Sequence, residues 1–195
     1  MNYIKKAFTL IELIFVILII GIISAVALPK LGGGKLQKAA DQVVSHIRYT
    51  QHLAMVDDKF DRSDATWFRE NWQIRFTSGT IQVGYDIYTD LNQAGGANTD
   101  EFARDPLTQR IIRFDGIGEL KSKYGITSVE FSNNCSNGGT RELSFDFLGR
   151  PYFNISTTNI HEFLLTSTCN IMLTNFEGDI NISIEPETGY TRILR

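Results

Sequence analysis

Glu12 is the only carboxylate in an almost purely apolar run of 21 residues, Phe8 to Leu28. A carboxylate inside such a run is expensive and marks a functional position by default. Its spacing from Ala7-Phe8 gives it a chemistry. If the chain is cut between Ala7 and Phe8, Glu12 becomes the fifth residue of the new chain, next to a new positively charged amine. It also sits in the first helical turns, where the helix dipole favours negative charge. In an assembly, Glu12 of one subunit could pair with the Phe8 amine of its neighbour. Unpaired, it would penalise a subunit leaving a membrane alone. The competing reading is a carboxylate that snorkels at the interface of an ordinary anchor.

The other reactive side chains form weaker patterns. His46, His52 and His161 have no metal-ligand spacing, and His46 and His52 lie on different faces of a helix. They read as surface or packing residues. No Gly-rich phosphate loop, GxSxG elbow or Cys-His nucleophile pattern is present. Asp57, Asp58, Asp61 and Asp64 lack the glycine and terminal glutamate of an EF-hand loop and read as a solvated charged turn. Trp67, Phe68 and Trp72 read as packing aromatics. No metal, no cofactor and no enzymatic activity are expected. Cys135 and Cys169 lie among polar, strand-like segments. In an oxidising compartment they would form one disulfide closing a loop of about 35 residues, worth roughly 3–4 kcal/mol in the chain-entropy model. The alternative is two buried free thiols.

The elements that position these residues follow from patterning. Phe8–Leu28 as a helix is about 31 Å long, enough for the hydrocarbon core of a bilayer. Lys5 and Lys6 precede it, which puts the amino end in the cytoplasm and the remainder outside. A secretory signal has a shorter apolar core, although Ser24-Ala25-Val26-Ala27 imitates its cleavage site. Leu36, Ala40, Val43, Val44, Ile47 and Ala54 form an amphipathic helical stripe ending near Asp57-Asp58. Pro29 and Gly32-Gly33-Gly34 lie between the two helical parts. They read as a weak joint within one long helix, or as a plain linker.

Strands are then expected at Trp72–Phe76, Thr80–Tyr85, Arg110–Phe114, Ser128–Phe131, Glu142–Phe147, Tyr152–Ile155, Phe163–Thr166, Ile171–Thr174, Asp179–Glu185 and Tyr190–Leu194. Asp90–Pro106 reads as a long exposed loop and a candidate for partner contact. The expected fold is α+β: a long N-terminal helix, transmembrane in its first half, followed by an antiparallel β-sheet head. The expected segments are 1–7, 8–29, 30–58 and 59–195. Loss of Lys5 and Lys6 takes the formal charge from −3 to −5, which does not favour nucleic acid as a direct partner.

Lys5-Lys6-Ala7-Phe8-Thr9-Leu10-Ile11-Glu12-Leu13 resembles the leader and cleavage motif of type IV pilin-like proteins, which include the pseudopilins of type II secretion. Gly21 and Pro29 fall where such sequences carry their helix-bending residues. The resemblance implies that a prepilin peptidase cuts after Ala7 and N-methylates Phe8. It also implies that Glu12 guides assembly into a helical filament. The family usually has Gly before the cut, and this chain has Ala7.

Two further segments are similar to the GspH/FimT minor pseudopilins. One is Ile47–Met55 with Trp72–Phe76; the other is Phe145–Pro151 with Ile182–Gly189. This resemblance implies a pilin-like fold and a low-abundance subunit near a filament tip. Its implied partners are other pilins or pseudopilins, the assembly machinery, the prepilin peptidase and the membrane. Some pseudopilins use a calcium loop, which would make Asp86, Asp90, Asp100, Glu101 and Asp105 the better calcium candidates here. The function read from these features is a minor subunit of a type II secretion or type IV pilus system. It would be single-pass in the inner membrane with a periplasmic head, and in the filament after assembly. The alternatives are a competence pseudopilin assisting DNA uptake, and an unprocessed, anchored periplasmic binding domain.

Overall fold

The computed structural model describes the backbone of residues 9–32, 34–136, 139–155 and 159–194, and their side chains except at 25–32, 160 and 161. Ala7 and Phe8 lie outside the described residues, as does the side chain of Pro29. The chain divides into two compact units, Met1–Lys35 and Leu36–Arg195.

The first unit is built on helix α1, Leu10–Gly32. Thr9 stands at its N-cap, and its Oγ1 accepts the Glu12 backbone N–H at 3.3 Å, satisfying one donor of the first turn. The helix continues past Pro29 to Gly32. Proline costs a helix one hydrogen bond but its φ suits the helix. The interruption falls instead at the glycines, with Gly34 at φ +98°, where a side chain would be strained. Among the described residues no helix is long and apolar enough to cross a membrane; the described side chains of α1 stop at Ser24.

The second unit packs helix α2, Lys35–Val56, with two four-stranded antiparallel sheets. The first sheet has the order β2-β1-β4-β5: Val83–Tyr88, Gln73–Ser78, Glu142–Phe145 and Pro151–Phe153. The second has the order β3-β6-β7-β8: Ser128–Phe131, Cys169–Asn175, Gly178–Ile184 and Thr191–Leu194. The apolar stripe of α2 is buried as its spacing requires: Leu36, Ala39, Ala40, Val43, Val44, Ile47 and Ala54 join the core. Ile74, Tyr85, Ile87, Leu143 and Phe145 come from the first sheet, and Val129, Ile171, Leu173, Ile182 and Ile184 from the second. Strict alternation along β6 places Cys169, Ile171 and Leu173 inward. Glu177, in the β6–β7 turn, accepts the Leu36 N–H at 3.0 Å and so ties that turn to the first turn of α2.

Two expected strands do not form. Arg110–Phe114 and Phe163–Thr166 contribute only isolated bridges, Arg104 to Ile111 and Tyr152 to Leu164. The first segment has another task. Tyr85 N–H donates to Gly118 O, Ile87 N–H to Ile112 O, and Ala103 N–H to Ile87 O. The irregular loop thus satisfies the outer edge of β2 and hides a sheet edge from other chains. Gly118 permits this approach, since a Cβ there would lie 2.0 Å from Tyr85 O. Phe163 instead ends a short 3-10 turn, Ile160–Phe163.

Candidate assembly site

In the first unit the described apolar side chains of α1 cover no core. Leu10 is 78% exposed, Phe15 60% and Ile23 62%, and the intervening large residues are comparable. The apolar character runs all round the helix, so no face is left for water. Glu12 sits in the first turn of this surface. The helix can therefore offer one carboxylate, at a fixed height, on a rod that only lipid or other apolar helices would cover. Gly21 has no heavy atom within 4 Å of an added Cβ, so nothing in its own unit crowds it. Glu12 and Gly21 share this helix.

In the second unit three stretches singled out in the sequence meet on α2. Gln51 Nε2 donates to Gly149 O and to Thr188 O, both at 2.8 Å. Arg48 donates to Thr191 O through Nη2 at 2.6 Å and Nε at 3.2 Å, and its guanidinium lies 5.9 Å from the Tyr190 ring centroid. The Phe145–Pro151 and Ile182–Gly189 turns are thereby clasped against one helix face. Asp146, 1% exposed, shapes the first turn. It accepts the N–H groups of Leu148 and Arg150, the Arg150 Nε–H at 2.7 Å and the Tyr152 O–H. Burial and the neighbouring Asp146 charge push the Tyr152 hydroxyl up to about 12.

One turn closer to the start of α2 lies a buried polar network. Gln42 Nε2 donates to Tyr85 Oη at 2.7 Å and to Ile117 O at 2.9 Å. Its Oε1 accepts from Lys123 Nζ and Tyr124 O–H. Tyr85 Oη lies 2.6 Å from His46 Nδ1. Tyr85 also accepts from Gln42, and which of Tyr85 and His46 donates to the other follows the imidazole tautomer. Burial lowers the His46 pKa, with Asp105 opposing and Lys123 assisting. His46 is thus a core residue, and His52 is exposed. Spacing alone did not expose the roles of Gln42, Arg48 and Gln51; their one signal is a polar residue bordering the apolar stripe.

Cys135 and Cys169 form a disulfide with Cα atoms 5.5 Å apart. It ties the short 3-10 turn Asn133–Cys135 to the start of β6.

The acidic stretches use their carboxylates locally. Asp90 and Glu101, each 4% exposed, are turned inward rather than displayed. Asp90 accepts the Ala94 and Gly95 N–H groups, and Glu101 those of Leu91 and Asn98. Asp86 pairs with Arg75 at 3.7 Å and accepts the Phe114 N–H; burial raises its pKa against these contacts. Asp61 and Asp64 accept from Ser63 and Thr66, which lowers both below the ordinary carboxylate range. Among the described residues no group of three or more His, Cys, Asp or Glu is gathered for a metal ion. The Asp90–Pro106 loop, expected to be a long exposed loop, is anchored by the buried Asp90 and Glu101.

No curated protein and no solved structure matches this chain. Residues 4–28, which span the Ala7-Phe8 pair and Glu12, match the family described as the prokaryotic N-terminal methylation motif, the prepilin signal of type IV pilin-like proteins.

Proposed function

We propose that the chain is a type IV pilin-like subunit, and specifically a minor pseudopilin or pilin of the GspH/FimT type. A prepilin peptidase would cut after Ala7 and methylate the Phe8 amine. The observation that carries this reading is the methylation motif over residues 4–28 running into an apolar helix with Glu12 as its single carboxylate. The subunit waits as a single-pass inner-membrane protein with its head in the periplasm. Assembly exchanges lipid contact around α1 for contact with neighbouring helices, where close packing supplies the energy. Register is set by charge. In an apolar medium an unpaired carboxylate costs several kcal/mol, so the subunit settles where Glu12 meets a neighbour's Phe8 amine. The head does no chemistry of its own and presents surfaces to other proteins.

Intact mass and amino-terminal sequencing of the protein from its native membrane test this reading. A chain beginning with methylated Phe8 is the expected result. A chain that keeps Met1–Ala7 would mean a static anchor, and one cut near Ala27 would mean a secretory signal.

A further inference from the structure

The second half of the loop that covers β2 borders two neighbouring surface hollows, which together make a groove with an apolar and a charged end. One end is a hollow of about 700 Å³ lined by Tyr49, His52, Leu53, Val56, Trp72 and Phe102, among others. The other end is a hollow of about 420 Å³ lined by Arg104, Arg110 and Arg113 with Asp115. Arg104 and Gln109 line both, so the two hollows are neighbours.

The apolar end is built on α2 and cannot collapse, because Leu53 and Trp72 are held against the core and Trp72 Nε1 donates to Asp57 at 2.8 Å. Val56 remains 65% exposed. The charged end is equally preset. Arg104 Nη1 donates to Gln109 O, and the Tyr49 O–H donates to Arg104 O. Arg113 stacks against Phe102 and Phe114, 5.7 and 5.5 Å from their ring centroids. Asp115 meets Arg113 at 3.0 Å, leaving this end positive on a chain whose formal charge is −3. Asp105, the other nearby carboxylate, is held by the Thr108 N–H and hydroxyl and stays charged, so three arginines face two carboxylates here.

We infer that this groove docks a partner protein through an extended peptide segment with apolar side chains followed by carboxylates. The apolar residues lie over Leu53, Val56 and Phe102. The carboxylates reach Arg104, Arg110 and Arg113, whose planar guanidinium forks suit them. Charge complementarity selects the occupant, since an apolar groove ending in arginines rejects a purely apolar or basic segment. A nucleic-acid strand fits less well, because the positive charge is confined to one end instead of tracking a phosphate backbone. The inference is independent of cleavage at Ala7.

The test uses the full chain in lipid nanodiscs, with empty nanodiscs as control. The probes are a fluorescent peptide with Leu, Phe and Met before a run of Asp and Glu, the same peptide with Asn and Gln replacing the acids, and a single-stranded oligothymidylate. Anisotropy should show the acidic peptide binding at least about tenfold more tightly than the amide peptide, with the difference shrinking at high salt. Arg110→Glu and Val56→Asp both change exposed side chains. Each should weaken binding about tenfold while melting stays unchanged. Equal binding of the two peptides, insensitivity to both variants, preference for the oligothymidylate, or no peptide binding up to about 1 mM would each overturn the proposal. None of these results touches the processing reading, which amino-terminal sequencing decides separately.

Discussion

Gly149 and Gly189 sit at the two turns clasped by Gln51, and replacing each with Ala should cost different amounts for different reasons. Both have positive φ, +78° and +63°. The left-handed region alone costs Ala roughly 1–2 kcal/mol. A Cβ on Gly149 would meet Gln51 Nε2 at 3.0 Å and Met55 Sδ at 3.2 Å, both ends of flexible side chains. These can yield, so Gly149→Ala should cost about 1–2 kcal/mol in total. A Cβ on Gly189 would meet Gln51 Nε2 at 2.6 Å and the backbone oxygen of Gly149 at 2.8 Å. The second obstacle is main chain, so one turn must shift against the other. Overpacking of this kind adds about 1–3 kcal/mol, giving roughly 2–5 kcal/mol for Gly189→Ala.

Gln51→Ala alone should cost about 1–2 kcal/mol for its two hydrogen bonds. Combined with Gly149→Ala it should be less than additive, because the side-chain clash has gone. Combined with Gly189→Ala it should leave most of the penalty in place. Urea unfolding of the full chain in detergent micelles, followed by Trp67 and Trp72 fluorescence, measures all five variants against wild type. Equal losses at the two glycines, or full recovery of Gly189→Ala by Gln51→Ala, would refute this account of the turns.

Changing Glu12 to Ala should leave cleavage after Ala7 largely intact but impair assembly; normal incorporation of the variant into sheared filaments would remove the pairing argument. Reducing Cys135–Cys169 should destabilise the head by roughly 3–4 kcal/mol, and an unchanged melting curve with and without reductant would contradict it. His46 has a folded pKa below its ordinary value of 6.5. Protonation therefore favours the unfolded chain, and the stability it contributes is present above about pH 6.5 and lost as pH falls toward the lowered folded value. His46→Gln should flatten the stability profile between about pH 5 and 6.5, before most carboxylates titrate; an unaltered slope there would show that burial does not hold His46 neutral.

Three readings were legible because their signals are local. The α2 stripe is a 3.6-residue period, and burying one face of a helix leaves no other solution. The β7 alternation expected over Asp179–Glu185 holds from Asp179 to Ile182 as a two-residue period, after which Ser183 is buried beside Ile182 and Ile184. The Ala7-Phe8 and Glu12 arrangement is legible because its parts lie within six residues of each other in the chain. Arg110–Phe114 shows where periodicity misleads. Its apolar pattern is that of a strand, yet it covers the β2 edge as an irregular loop, in which Ile112 O accepts the Ile87 N–H.

By itself, then, the sequence determined the amino-terminal signal, the apolar rod with its single carboxylate, the amphipathic helix after it and most of the strands. Each depends on residues a few positions apart. Tertiary structure alone decided that Gln51 would hold carbonyls 98 and 137 residues away, that Asp90 and Glu101 would turn inward onto backbone N–H groups, and that three arginines would end an aromatic groove on α2. Such pairings depend on strand register and on where each turn reverses the chain, and many sequences with the same local periods would satisfy their buried polar groups differently.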